Sequence, residues 1–396
     1  YQSLDDEEEF MPAGDWMLVG NHENDKSSGY YRLIDGAEGK VVEELIHSAH
    51  RYTALSKAQD AETLLFRRQS YREYPELWMT DARFREPKQL TLTNPQQKDY
   101  RWGTVEMISW EAFDGRDFDG LLYKPDDFDP SKKYPVLIYF YEKTSNRLHS
   151  YSTPAPSRSI IYPSWYNSNG YVVFMPDIAY DTGEPGPDAY NSVVSGAEAL
   201  IARYPWVDAD NIGIQGQSWG GYQVAYLVTR TNMFKAAMAG APVSNMTSAY
   251  GGIRWGSGRS RMFQYERTQS RLGTTLWENR TRYIENSPLF YADRVETPLL
   301  MMHNDDDGAV PWYQGIEYFV ALRRLQRPVW MLVYNGEAHN LRQWPNRIDL
   351  SIRMSQFFDH YLKGEPAPKW MSQGVPATQK GKDLGYELEV GAGDRE

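Results

Sequence analysis

Apolar residues fall into two textures along this chain. From Asp15 to about Tyr100 they come as short alternating runs: Trp16-Met17-Leu18-Val19, Tyr30-Tyr31-Arg32-Leu33-Ile34, Tyr52-Thr53-Ala54-Leu55, Thr63-Leu64-Leu65-Phe66-Arg67 and Leu77-Trp78-Met79-Thr80. Turn formers such as Asn24-Asp25 and Gly36-Ala37-Glu38-Gly39 separate them. Short strands between regular turns predict an all-β, blade-like region. Val41 to His47 is the one stretch that also fits a helix. Roughly 85 residues supply one to two blades of a β-propeller, too few to close a ring.

Residues 104–134 form a transition. Val105–Trp110 and Phe118–Tyr123 alternate as a hairpin around Asp114-Gly115-Arg116-Asp117. From Tyr134 onward the runs become continuous, as in strands buried on both faces. Val136–Tyr141, Tyr171–Pro176, Ile212–Gly216, Ala236–Gly240, Pro298–Met302 and Val329–Tyr334 are six such runs. Helical spacing intervenes at 188–203, 219–231, 312–326 and 346–362. Alternating strands and helices predict an α/β fold: a mostly parallel sheet, helices on both faces, right-handed crossovers. The stretch after Gly364 is rich in Pro, Gly and Lys and reads as an extension wrapping the surface.

Composition narrows the classes. The chain has 396 residues, 41% hydrophobic and 14% aromatic, ample for a large core and two domains. A formal charge of -11 argues against nucleic acid as a partner. With no cysteine, thiol nucleophiles, thiolate metal sites and disulfides are excluded. No apolar run is long enough to span a membrane. The acidic run Asp5–Glu9 reads as solvated terminus. The chain starts at Tyr1 without a signal-peptide pattern, which reads as an excised or processed piece; compartment and homo-oligomerisation stay open.

The chemistry gathers around Gly216-Gln217-Ser218-Trp219-Gly220. A Gly-x-Ser-x-Gly turn between strand and helix holds its serine in a strained conformation with the hydroxyl exposed. A serine nucleophile needs a base, and the base needs an orienting carboxylate. His303, His339 and His360 follow Ser218. His339 lies in the loop past a buried strand, at the sheet edge that presents Ser218. His360 falls within the final helix, and His303 precedes an acidic turn that it organises. That turn offers Asp305, Asp306 and Asp307 as the acid. The D-x-D-x-D-G pattern of a calcium loop is absent. The order serine, acid, histidine is that of an α/β-hydrolase. The backbone N–H of Trp219 and the phenol of Tyr141 are candidate donors to the oxyanion. His47 and His50, at i, i+3 with no third ligand, read as surface or turn residues.

At these residues the chain resembles the prolyl oligopeptidase family of serine peptidases. Gly216–Tyr222 is similar to the family's serine motif, and His303, Asp307 and Val310 fit its His-Gly-x-x-Asp-x-x-Val loop with Asn304 in place of glycine. The resemblance implies Asp307 as the acid. Tyr134–Tyr141 resembles the strand whose last tyrosine helps form the oxyanion hole, although Glu142-Lys143-Thr144 follows where the family often has Gly-Gly-Pro. It implies that residues 1–100 are closing blades of a propeller, 101–365 an α/β-hydrolase catalytic domain and 366–396 a C-terminal extension. Tyr222, Val243, Met246, Tyr250 and Ile253 are its candidates for the substrate pocket; Met246, Ala249 and Ile253 stand where the dipeptidyl-peptidase branch has aromatics, and Ala309 where it has asparagine. The expected activity is hydrolysis of short peptides through Ser218, His339 and Asp307, with no cofactor or metal. An ester or acyl hydrolase uses the same triad, and a catalytically silent scaffold is the rival outside the enzymes.

Two local features remain. Arg254, Arg259, Arg261, Arg267 and Arg271 crowd one segment. They fit either recognition of a substrate carboxylate or, more ordinarily, a basic lid paired to the surplus acids. Asn245-Met246-Thr247 and Asn279-Arg280-Thr281 match the glycosylation pattern by chance.

Overall fold

The structure, a computed structural model, describes residues 1–4, 15–37 and 39–389. The acidic run Asp5–Glu9, Glu38 of the expected turn and residues 390–396 lie outside the described residues.

Eight strands build the main sheet: β1 (Thr104–Glu111), β2 (Asp117–Lys124), β3 (Tyr134–Tyr139), β4 (Val172–Pro176), β5 (Val207–Gln217), β6 (Ala236–Gly240), β7 (Leu299–Met302) and β8 (Val329–Leu332). Their spatial order is β8-β7-β6-β5-β3-β4-β2-β1. Pairings from β4 through β8 are parallel, whereas β2 pairs antiparallel with both β4 and β1. The transition hairpin therefore joins the α/β sheet as its antiparallel edge.

The continuous apolar runs are explained by a two-sided core. Along β3, Val136 and Ile138 face one layer and Leu137 faces the other, all fully buried. The first layer is filled from α2 (Pro185–Arg203), α3 (Trp219–Leu227) and α7 (Tyr313–Arg324), through Val193, Val224 and Tyr318. The second is filled from α1 (Pro163–Ser168) and α8 (Trp344–Lys363), through Tyr166, Met354 and Phe358. Both α2 and α8 begin earlier than their apolar spacing implies, because each carries proline in its first turn, where no N–H is needed. Gly364 closes α8 at φ 75° in the left-handed region, as helix ends favour. This is the α/β-hydrolase fold, a mostly parallel sheet with helices on both faces.

The N-terminal strands form two antiparallel sheets: Trp16–Asn21, Ser28–Gly36 and Gly39–Ser48, then Arg51–Lys57, Thr63–Gln69, Glu76–Asp81 and Lys88–Gln89. They are an incomplete, propeller-like segment. Val41–His47 is strand, not helix: it pairs along Ser28–Gly36, which supplies the backbone partners an isolated helix turn would lack. Tyr30, Tyr52, Phe66 and Phe84 pack ring against ring at the centre. Tyr71 and Trp102 seam this segment to the hydrolase core by exchanging hydrogen bonds with each other's carbonyl, at 3.1 and 2.8 Å.

Between β6 and β7 runs a segment that apolar spacing does not resolve. It holds three short helices, α4 (Met246–Tyr250), α5 (Met262–Glu266) and α6 (Arg280–Glu285), and a two-residue hairpin pairing Ile253–Arg254 with Arg259–Ser260. Asn245 and Asn279 cap α4 and α6 by accepting backbone N–H groups, which accounts for both asparagines without glycosylation.

Candidate active site

The sequence turns sharply at the end of β5. Ser218 sits at φ 64° and ψ −115°, in the positive-φ region that costs a non-glycine residue about 1–3 kcal/mol. The turn is held by the Ser218 N–H, which donates to the Gly240 carbonyl at the end of β6 (2.7 Å). The flanking glycines are required by contact. A Cβ on Gly216 would lie 2.3 Å from the Gly220 carbonyl oxygen, and one on Gly220 would lie 2.6 Å from that of Phe140. α3 starts at the next residue, so the Trp219 N–H belongs to a first helical turn, where N–H groups have no intrahelical partner.

Two further loops leave the same edge of the sheet. After β7 the chain passes through His303 and the three aspartates, and each aspartate has a different fate. Asp305 accepts from Asn335 and from the Gly336 N–H (2.6 and 2.7 Å), tying this loop to the one after β8. Asp306 is exposed. Asp307 is buried: its Oδ1 accepts the Ala309 and Val310 N–H groups, both at 2.8 Å, and its Oδ2 accepts His339 Nδ1 at 2.7 Å. His303 Nε2 stands 3.4 Å from the same oxygen. Burial alone would raise the Asp307 pKa, but hydrogen bonds from His303 and His339 reverse it and hold the carboxyl well below its usual range. The geometry thus joins His339 to Asp307 rather than to its neighbours. His303 is fully buried within the acid loop, and His360 bonds the Glu365 carbonyl at the far end of α8.

The serine turn and the histidine loop are coupled directly. Gln217, one residue before Ser218, donates its side-chain amide to the His339 carbonyl (3.0 Å). Asn304 donates to the neighbouring Ala338 carbonyl (2.7 Å). The asparagine that replaces glycine in the acid loop is therefore a strut between loops. Glu337 fixes the other side of His339 by accepting the Arg342 and Gln343 N–H groups, each at 2.9 Å. Neither Gln217 nor Asn304 carries a sequence signal for this role, because it depends on loops that meet only in the fold.

Tyr141 lies two residues past β3, and with Ser218 and Trp219 it lines a cavity of about 130 Å³. Its carbonyl accepts from Gln223 of α3 (2.7 Å), and Gln223 also bonds the Tyr180 hydroxyl. Its phenol oxygen accepts from Gln269 (2.7 Å), which leaves the phenol hydrogen free to donate. Burial raises the Tyr141 pKa, so the phenol keeps that hydrogen at neutral pH. The following loop lacks glycines but is well held: Asp177 accepts the Thr144 and Ser145 N–H groups at 2.5 and 2.7 Å.

The residues expected at the substrate pocket separate. Val243 lines the cavity beside Ser218. Tyr222 is fully buried and stacks on Trp219 at 4.4 Å, behind the cavity wall. Met246 is core, and Tyr250 is buried with its hydroxyl bonded to Glu266 (2.6 Å). Ile253 is exposed on the hairpin. The cavity is lined instead by Arg254 of the hairpin, Gln264 and Tyr265 of α5, and Arg261 and Gln269 on either side of that helix. None of the other four expected residues lines the cavity: Tyr222 packs within α3, Ile253 stays on the exposed hairpin, and Met246 and Tyr250 become packing surface because the segment after β6 folds α5 against α4.

Known proteins resemble this chain in sequence and fold. Residues 159–365 match the model of the prolyl oligopeptidase family. The uncharacterized peptidase YuxL of Bacillus subtilis is 28% identical over 288 residues, 70% of this chain and 42% of that protein. Human dipeptidyl peptidase 8 is 27% identical over 60% of this chain and 26% of its own length. The chain thus spans less than half the length of these curated relatives. Among solved structures, the acylaminoacyl peptidase of Pyrococcus horikoshii aligns at a TM-score of 0.68 and 21% identity, over 89% of this chain and 55% of that one.

Proposed function

The chain belongs to the prolyl oligopeptidase family, and on that premise we propose that it is a serine peptidase acting on short peptides through Ser218, His339 and Asp307. The observation that carries the reading is the His339–Asp307 pair at 2.7 Å, tied through Gln217 to a serine held at positive φ. We read residues 101–365 as the catalytic unit, 1–100 as propeller blades and 366–396 as an extension.

In this reading Ser218 Oγ attacks the scissile carbonyl and passes its proton to His339 Nε2. Asp307, already ionised, holds the Nδ1–H and offsets the imidazolium charge that forms. The oxyanion takes two donors, the Trp219 N–H and the Tyr141 hydroxyl, whose oxygen accepts from Gln269 without using the phenol hydrogen. Collapse of the tetrahedral adduct breaks the C–N bond, and His339 returns the proton to the leaving amine. Water then cleaves the acyl-enzyme by the same steps in reverse.

The test is covalent labelling by a fluorophosphonate together with cleavage of peptide 4-nitroanilides. Both are expected for the wild-type chain and neither for Ser218→Ala. A wild-type chain that takes no label refutes the reading.

A further inference from the structure

We propose that the cavity beside Ser218 takes the side-chain carboxylate of the substrate residue that contributes the scissile carbonyl, with Arg261 as its counter-charge. The inference rests on the serine-peptidase reading and adds a substrate class to it: peptides cleaved after Asp or Glu.

The first support is an arginine out of place. Arg261 is 2% exposed, and its Nε and Nη1 make no hydrogen bond. Among the described residues it forms no ion pair. A buried guanidinium has five donors and is strongly disfavoured without an anion. Its neighbour in the cavity wall is the Tyr265 ring, 5.6 Å from the guanidinium carbon to the ring centre. Burial raises the Tyr265 pKa, and the charge and a hydrogen bond of Arg261 only temper that rise, so the phenol stays neutral and supplies no counter-charge. The protein carries eleven surplus negative charges, yet no carboxylate among the described residues pairs with Arg261. The adjacent Arg271 behaves as an ordinary surface cation, paired with Glu142 at 3.2 Å. A basic lid neutralised by local acids describes Arg271 and fails for Arg261.

The second support is position. Arg261 and Ser218 line the same cavity of about 130 Å³. That is about four times the liquid volume of a water molecule, room for the few heavy atoms of an Asp or Glu side chain. Gln264 and Gln269 add neutral polar groups to the wall. A second hollow of about 420 Å³ shares Arg254, Arg261 and Gln264 and adds Arg259. It extends the cationic lining outward and would draw an acidic peptide in.

The side of the scissile bond follows from which groups line the cavity. Ser218 and Trp219, the partners of the carbonyl, are in its wall; His339, which protonates the leaving amine, is not. The cavity therefore lies on the acyl side, within reach of the side chain one bond from the reacting carbonyl. A C-terminal carboxylate on the leaving peptide would sit on the other side.

The experiment compares kcat/KM for matched peptide 4-nitroanilides ending in Glu, Asp, Gln or Ala, each with a free and a blocked N-terminus, on wild type and Arg261→Gln. A further pair carries the leaving peptide with a free or an amidated C-terminus. The proposal expects Glu or Asp to exceed Gln by at least about thirtyfold in the wild type, since a built charged site rejects an analogue that leaves it unpaired. It expects the ratio to fall towards one in Arg261→Gln. Equal rates for Glu and Gln in a wild-type chain that takes the fluorophosphonate overturn the proposal alone. Absence of label and cleavage overturns it together with the reading it rests on. A Glu preference that survives Arg261→Gln, or a preference set only by the free C-terminus, also refutes it. The wild-type comparison decides by itself if the variant does not fold.

Discussion

Two buried charges stand in the loops around Ser218, and they are treated in opposite ways. Both oxygens of Asp307 are hydrogen-bonded: one accepts two backbone N–H groups and the other accepts His339 Nδ1, with His303 Nε2, which bonds the Val310 carbonyl, 3.4 Å away. Arg261 is just as buried and has no partner for two of its nitrogens. The cost of burying an ion is offset inside the fold for the first and left open for the second. A charge satisfied by the protein's own groups is part of a standing machine. A charge left unsatisfied beside a cavity is completed by whatever enters the cavity. The contrast separates the part of the site that does chemistry from the part that selects substrate.

The largest break in that contrast comes from Asp307→Asn. The amide keeps the shape but cannot accept the Nδ1–H as a charge, so it favours the wrong tautomer of His339 and no longer supports the imidazolium. We expect kcat for a peptide 4-nitroanilide to fall by about 10³–10⁴-fold with KM little changed. A loss under about tenfold would show that the 2.7 Å contact is only structural.

The same carboxyl gives a pH signature. Its pKa is held below the unfolded value of about 4, so the native state binds fewer protons than the unfolded one in that range. Its contribution to stability is then fully present above about pH 4 and is lost as pH falls through the native value. Chemical denaturation between pH 5 and 2 should show the wild type losing stability more steeply than Asp307→Asn, by up to about 1.4 kcal/mol per pH unit. Parallel slopes would mean that Asp307 is not the titrating group.

These two charges also mark how far the sequence could be read. Ser218, Asp307 and His339 each sit in a short loop directly after a buried strand, and a parallel sheet delivers all such loops to one edge. The strands were legible as continuous apolar runs, so the edge was too. The choice among the three aspartates was not; it rested on resemblance, and in the fold it rests on which carboxyl turns inward from a loop pinned by Asp305 and Asn304. Arg261 is the reverse case. Sequence offered five arginines in a row of short, aperiodic pieces, with nothing to say which one is buried. Helices of five or six residues have too few turns for an apolar stripe, so α4 and α5 left no period to read. Resemblance offered Met246 and Tyr250 as pocket residues, and no apolar period was there to show that they are the packing beneath it. The antiparallel edge formed by β1 and β2 was read as a hairpin but not as part of the main sheet, because alternation shows a strand's faces and not its neighbour.

The smallest predicted effect is the sharpest test of the comparison, because its sign is unusual. Removing a buried charge normally destabilises, since it strands a charged partner; among the described residues Arg261 has no charged partner to strand. Arg261→Met keeps an unbranched apolar stem in the Tyr265 wall and removes an uncompensated guanidinium, so the ligand-free protein should gain stability, of the order of 1–3 kcal/mol. Arg271→Met serves as the control: Arg271 is a half-exposed arginine paired with Glu142, and its replacement should shift stability by less than about 1 kcal/mol in either direction. Denaturant titration of both variants beside wild type measures the difference at one pH and salt. If Arg261→Met is instead less stable than wild type, the guanidinium is already satisfied in solution. The two buried charges would then be alike, and the selective role of Arg261 would lose its physical basis.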